Sequence, residues 1–219
     1  MPDHRLLFAK TGRARFISHL DLMRTFQRAF LRAGIRIKHT EGFNPHAFVS
    51  IALPLSVGYG SRCEILEFGL LGGAEMEQVP EKLNKALPEG IEVLGCYEAV
   101  QPIKALSYVD YAITLDYDRP VAAQAAQVLG ELLSRESLVV QKKSKKAKSG
   151  FTEVDLIPLI RSHELTTSET SISLRIVVRA QNPGLNPSLL LDCLPKELRA
   201  DNVGFCRLEI FGQSGEMFR

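Results

Sequence analysis

The sequence has no tryptophan, only four cysteines, and no apolar run approaching a membrane span. A span needs roughly 18 or more consecutive apolar residues, so no membrane crossing is expected. The cysteines, Cys63, Cys96, Cys193 and Cys206, lie 33, 97 and 13 residues apart. No pair has the C-x₂₋₄-C spacing of a zinc or iron–sulfur ligand set. Each sits in an apolar run, where a free thiol behaves as a small hydrophobe. No cofactor is expected. There is no P-loop, no G-x-G-x-x-G after a strand, no G-x-S-x-G and no HExxH, which removes the common nucleotide, serine-hydrolase and zinc-protease chemistries. The RNP1 pattern of RNA-recognition motifs is also missing from strand 63–71, where it would belong. Residues 1–10 read as a strand carrying charges rather than a secretory leader. A cytoplasmic protein is expected.

What is present is an ordinary folded composition of 219 residues, 45% apolar and 24% charged. That suffices for one large or two small domains and argues against disorder. The net charge of +2 conceals an asymmetry. Residues 1–50 hold nine Lys/Arg against three Asp/Glu, with four of the five histidines; residues 51–100 hold three against eight. A basic first quarter either binds an anion or neutralises an acidic face nearby.

Hydrophobic periodicity divides the chain into elements. A strand is expected at 4–10, then a helix opened by Ser18, whose Ser18-x-x-Asp21 spacing is a capping arrangement with Asp in the usual Glu/Gln place. Leu22, Met23, Phe26, Ala29, Phe30 and Ala33 form its buried stripe, and Gly34 ends it. Strands follow at 47–55 and 63–71 around turn residues 57–61, then a helix at 75–87 and a strand at 91–98. The order is β-α-β-β-α-β, the ferredoxin-like pattern. After a break at about 99–106 come strand 107–116, helix 120–134, strands 137–142, 151–157 and 170–180, helix 187–194 and strand 203–211. The expected fold is therefore α+β, with two tandem ferredoxin-like domains at 1–103 and 104–219, the second with an added strand.

Three groups of residues could carry function. On the helix from Ser18, Asp21, Arg24, Arg28 and Arg32 share one face, flanked by Arg13, Arg15, Arg36 and Lys38. Arginine forks match phosphate geometry, so this stripe could track a nucleic-acid backbone; the alternative is a solvated helix face. The loop from Lys38 through His39 to Gly42-Phe43-Asn44-Pro45-His46 places two histidines around an aromatic. His39 or His46 could be a general base, or could hold a metal with His19 and Asp21; Phe43 could stack on a base. Equally, Phe43 could plug the core edge while the histidines bind loop carbonyls. Finally, Lys142, Lys143, Lys145, Lys146 and Lys148 crowd a hairpin tip, a sequence-blind phosphate grip or a solubility device. The acidic pairs Glu64/Glu67 and Asp116/Asp118 read as surface decoration.

The strings Arg15-Phe16-Ile17-Ser18-His19-Leu20-Asp21 with Arg24, Gly42-Phe43-Asn44-Pro45-His46, and Leu53-Pro54-Leu55 followed by Glu64 resemble the radical SAM-linked protein family, an uncharacterised bacterial domain. Members of that family are fused to the C-terminus of a radical S-adenosylmethionine protein or encoded beside one, near ribonuclease and ribosomal protein genes. The resemblance implies a non-catalytic accessory or substrate-presenting role for such an enzyme, with RNA as the presented class. No C-x₃-C-x₂-C cluster motif is present, so the chain is not itself the radical enzyme. RNA and the radical SAM partner are expected to meet Arg13, Arg15, His19, Arg24, Arg28, Arg32, Lys38, Phe43, Asn44, His46 and the five lysines. Two alternatives stand beside this. One is an adaptor that docks only on protein. The other is a metal-independent endoribonuclease analogous to the CRISPR repeat-processing enzymes, with His46 or His39 and Lys38 catalytic. Against the latter, Lys196–Asp201 stands where those enzymes have a glycine-rich loop.

Overall fold

The computed structural model describes residues 3–72, 75–143 and 150–219. The fold is mixed α+β, mostly antiparallel and with few helices. Two compact units divide it: Met1–Leu106 with Cys206–Arg219, and Ser107–Phe205. The division falls at 106/107 rather than 103/104, and the C-terminal segment joins the first unit instead of the second. The last strand accounts for that return. Its latter part runs parallel to a first-unit strand, with Cys206 beside Gly60 and Arg207 beside Ser61. Phe218 is then buried in the same unit.

In the first unit, β1 (His4–Lys10) leads to α1 (His19–Arg32), β2 (Val49–Ala52), β3 (Gly60–Phe68), α2 (Val79–Asn84) and β4 (Ile91–Glu98). β1 lies between β4 and β3, and β2 pairs with β3, all antiparallel. Ser18 caps α1 by accepting the Asp21 N–H at 3.2 Å and donating to the Asp21 carboxylate at 2.7 Å. At the other end Gly34 has φ +68°. Its N–H reaches Leu31 O while Ile35 N–H reaches Phe30 O, the paired bonds of a Schellman cap. The buried stripe of α1 packs on the sheet through ring contacts, Phe8 with Phe26 at 4.8 Å and Phe30 with Phe68 at 4.9 Å.

Several boundaries differ from expectation for local reasons. β2 stops at Ala52 because Leu53 takes φ +47° before Pro54. The helix expected at 75–87 begins as a 3-10 turn, and α2 starts only at Val79, since Pro80 is tolerated only in the first turn. Its end is tied to β4 by Asn84, whose side chain bonds both Val93 backbone groups at 2.8 and 2.9 Å.

The second unit runs β5 (Tyr108–Asp116), α3 (Ala122–Leu133), β6 (Val139–Lys143), β7 (Phe151–Asp155), β8 (Ile160–Thr167), β9 (Ser171–Arg179) and α4 (Ser188–Leu191), then into β10 (Asn202–Phe211). β9 pairs antiparallel with both β5 and β8. Near the start of β10, Asp201 N–H donates to Asp116 O. The expected single added strand is instead a separate hairpin, β6–β7, inserted before β8. β8 itself was not anticipated. It is largely exposed along its length, so its sequence lacks the apolar alternation that marks a buried strand. Among the described residues, no helix is long and apolar enough to cross a membrane.

Candidate nucleic-acid interface

The arginines of α1 do not behave as one stripe. Arg24 is held by Asp21 at 3.2 Å, both side chains well exposed. One turn on, Thr25, Arg28 and Arg32 face Lys82, Lys85 and the Ala86–Pro88 segment across a groove of about 650 Å³. Arg32 donates to Ala86 O at 2.6 Å, which pins one wall to the other. Lys85 pairs with Glu81 at 2.6 Å, and that contact holds the Glu81 carboxyl below the usual range. Four cations thus line one open groove against one adjoining carboxylate. Such a site concentrates anions, and a guanidinium offers forked donors that fit phosphate oxygens.

Arg13 and Arg15 stand exposed on a 3-10 turn, Gly12–Phe16, with the Arg15 guanidinium 4.8 Å from the centroid of the exposed Phe16 ring. His19 begins α1 and is half-buried. Lys38 pairs with Asp3 at 2.6 Å, a bond that brings the Asp3 carboxyl down to about 2. Its stem lies so close over Gly69 that a Cβ there would stand 2.5 Å from Lys38 Cδ. The histidine loop closes at its root through Thr40 N–H to His46 O and Phe48 N–H to Lys38 O, both 2.8 Å. His46 Nδ1 lies 3.1 Å from Thr40 Oγ1 and 3.2 Å from Asn44 O; His39 Nδ1 lies 3.2 Å from Ile37 O. Asn44 is exposed and Phe43 fully so; Phe43 therefore does not plug the core.

The metal quartet of His19, Asp21, His39 and His46 is not assembled. Among the described residues, no three His, Cys, Asp or Glu side chains are grouped so as to hold a metal ion. Asp21 is engaged by Ser18 and Arg24 instead. Of the lysine tip, Lys142 and Lys143 lie on β6, and Lys145, Lys146 and Lys148 lie outside the described residues.

Sequence reasoning overlooked Lys82 and Lys85. Their helix was read only for its apolar side, though the three-residue spacing of two lysines was a visible signal. Glu64 and Glu67 are not surface decoration. Glu64 is 1% exposed and accepts from Arg207, 3% exposed, at 2.8 Å. Arg5, equally buried, donates to Glu67 at 2.9 Å, to Gln101 O and to Arg219 O, and stacks on Phe218. These partners are more than 60 residues apart in sequence, so no local pattern announces them. Burial drives the Cys63 thiol up to about 12 and Cys96 up to about 11, and it raises Cys193 and Cys206 as well. None of these thiols is poised as a nucleophile.

Fold and groove together define a mixed α+β protein with a cationic cleft across its first helical layer. Within that class the chain belongs to DUF2344, a family described as an uncharacterized protein conserved in bacteria, whose model matches residues 4–187. None of the curated proteins matches the chain. Solved structures similar to it include an unknown protein from Galdieria sulphuraria, at 12% identity and TM-score 0.30, covering 80% of this chain and 81% of that one. Another is a putative glycine cleavage system transcriptional repressor, at 12% identity and TM-score 0.26, covering 94% of this chain and 99% of that one.

Proposed function

We propose that this protein is a non-catalytic, cytoplasmic accessory that binds RNA and presents it to a radical SAM enzyme. The observation that carries the RNA half is the groove in which Arg28, Arg32, Lys82 and Lys85 face one another. The lysine-rich segment 142–148 supplies a second, sequence-blind phosphate contact in this reading. The radical SAM half rests on the resemblance carried by the Ser18–Asp21 and Gly42–His46 strings. The non-catalytic assignment is supported by the engagement of Lys38 with Asp3 and of both imidazole Nδ1 atoms with their own loop. Each unit is read as ferredoxin-like. The support is the strand order β4-β1-β3-β2 in the first unit and β10-β5-β9-β8 in the second.

The test is filter binding of the full chain to total tRNA and to rRNA across a salt titration. Affinity is expected to fall steeply with salt, because each neutralised phosphate releases counterions. Changing Arg28, Arg32 and Lys82 together to Glu should abolish binding, whereas Arg24→Glu should weaken it only slightly, since Arg24 is already paired. Retention of tight binding by the triple variant would remove RNA from the groove. A chain that ignores RNA but captures the radical SAM enzyme would be a protein-only adaptor.

A further inference from the structure

A second cavity lies on the other side of the last turn of α1. It encloses about 360 Å³ between Phe30 and Leu31 of α1, the Ile35–Ile37 segment, Ala47 and Leu71. Its walls follow from the helix cap. The Schellman bonds turn Ile35 back towards Phe30, and the chain then runs out as an extended segment bonded at Ile37–Leu70 and His39–Ala47. Two amphoteric side chains, Gln27 and His39, join the lining with Arg36. Gln27 spends its amide N–H on Ala47 O at 2.8 Å, and His39 spends Nδ1 on Ile37 O. Among the described residues, Gln27 Oε1 and His39 Nε2 make no further hydrogen bond. Leu31, one wall, is 81% exposed, and Phe43 stands fully exposed on the loop whose root supplies His39 and Ala47.

We infer that this cavity receives an unpaired nucleobase of the RNA whose phosphates occupy the adjoining cationic groove. The inference rests on the RNA reading above and deepens it. A flat base suits an apolar slot with a few hydrogen-bonding groups at its rim, the usual composition of a small-ligand pocket. The ligand also has to carry negative charge beside its apolar part. Arg32 lines one cavity and its neighbour Leu31 the other, so the two open from adjoining positions on the last turn of α1. A single-stranded nucleotide offers both groups within one residue, whereas a paired base is hidden in its helix.

The experiment compares a labelled short single-stranded RNA with an abasic ribose-phosphate oligomer of equal length, each titrated into the full chain by fluorescence anisotropy. The wild type is expected to bind the base-bearing strand about tenfold more tightly than the abasic one. Ala47→Leu, which fills the slot, and Leu31→Ser, which removes an exposed wall without disturbing the core, should each bring that ratio close to one. Both should leave the salt slope unaltered, since no phosphate contact is lost. Equal binding of the two oligomers by the wild type, with a steep salt slope, would overturn the base slot while leaving the RNA reading intact. Binding of neither would overturn both. RNA affinity unchanged in Ala47→Leu and Leu31→Ser, with capture of the radical SAM enzyme lost, would give the slot to a protein side chain and overturn the inference.

Discussion

α1 of the first unit carries Arg24, Arg28 and Arg32 on its outer side, whereas α3, the first helix of the second unit, has Glu131 as its one charge among twelve residues. The second helices differ likewise: α2 brings Lys82 and Lys85, and α4 reads Ser-Leu-Leu-Leu. Their sheets part company too. Among the described residues, the first unit buries Arg5, Lys10, Glu64 and Arg207, and the second buries Asp110 as its one fully enclosed charge. Similar element orders therefore support different helical layers, one open and cationic, the other closed by alanine and leucine. Function belongs to what is placed on the frame, and the frame alone does not name it.

The largest expected effect tests the buried charges. Glu64→Ala removes the carboxylate that neutralises the Arg207 guanidinium inside the first unit and should cost about 3–5 kcal/mol, read by urea unfolding followed by circular dichroism. Asp110→Ala in the second unit should cost less, about 1–3 kcal/mol. Its partner Arg175 is 59% exposed and can return to water. Equal losses would erase the contrast between the units.

Lys10 sharpens the same comparison. Burial holds its ammonium below the usual range, Glu64 opposes that, and Arg207 adds to it. A lysine with a depressed folded pKa weakens the fold while charged, and stability is regained as pH rises through that value. Lys10→Met should thus leave stability within about 1 kcal/mol or raise it. A loss as large as that of Glu64→Ala would show that Lys10 is an essential partner of the carboxylate.

Smaller still is Phe43→Ala, at a fully exposed tip. Stability should move by less than about 0.5 kcal/mol, while under the proposed RNA function affinity for single-stranded RNA should fall measurably. The smallest effect concerns Asp3. Its carboxyl is lowered from 3.8 to about 2, chiefly by the bond from Lys38. The contribution is present above about pH 4 and is lost as pH falls towards 2. With both side chains over 40% exposed, solvent limits it to less than about 1 kcal/mol. Carbon-13 NMR titration of that carboxyl checks the shift, and Lys38→Met should return it towards the ordinary value.

The sequence by itself determined the elements that carry a local signal. α1 was legible from Ser18, its 3.6-residue stripe and Gly34, because caps and periodicity act within a few residues of themselves. β9 was legible from its alternation, and the cationic character of the first helix from plain residue counting. Tertiary structure decided the rest. It made an exposed strand of Ile160–Thr167, paired with β9. It carried Cys206–Arg219 back to the first unit, where Arg207 meets Glu64. It also split the arginine stripe, giving Arg24 to Asp21 and setting Arg28 and Arg32 opposite Lys82 and Lys85. Bringing Arg207 to Glu64, and Arg28 and Arg32 to Lys82 and Lys85, joins residues some 50 to 140 positions apart. A charge costs too much to bury unless a partner arrives from elsewhere in the chain, and only the folded backbone says which partner that is.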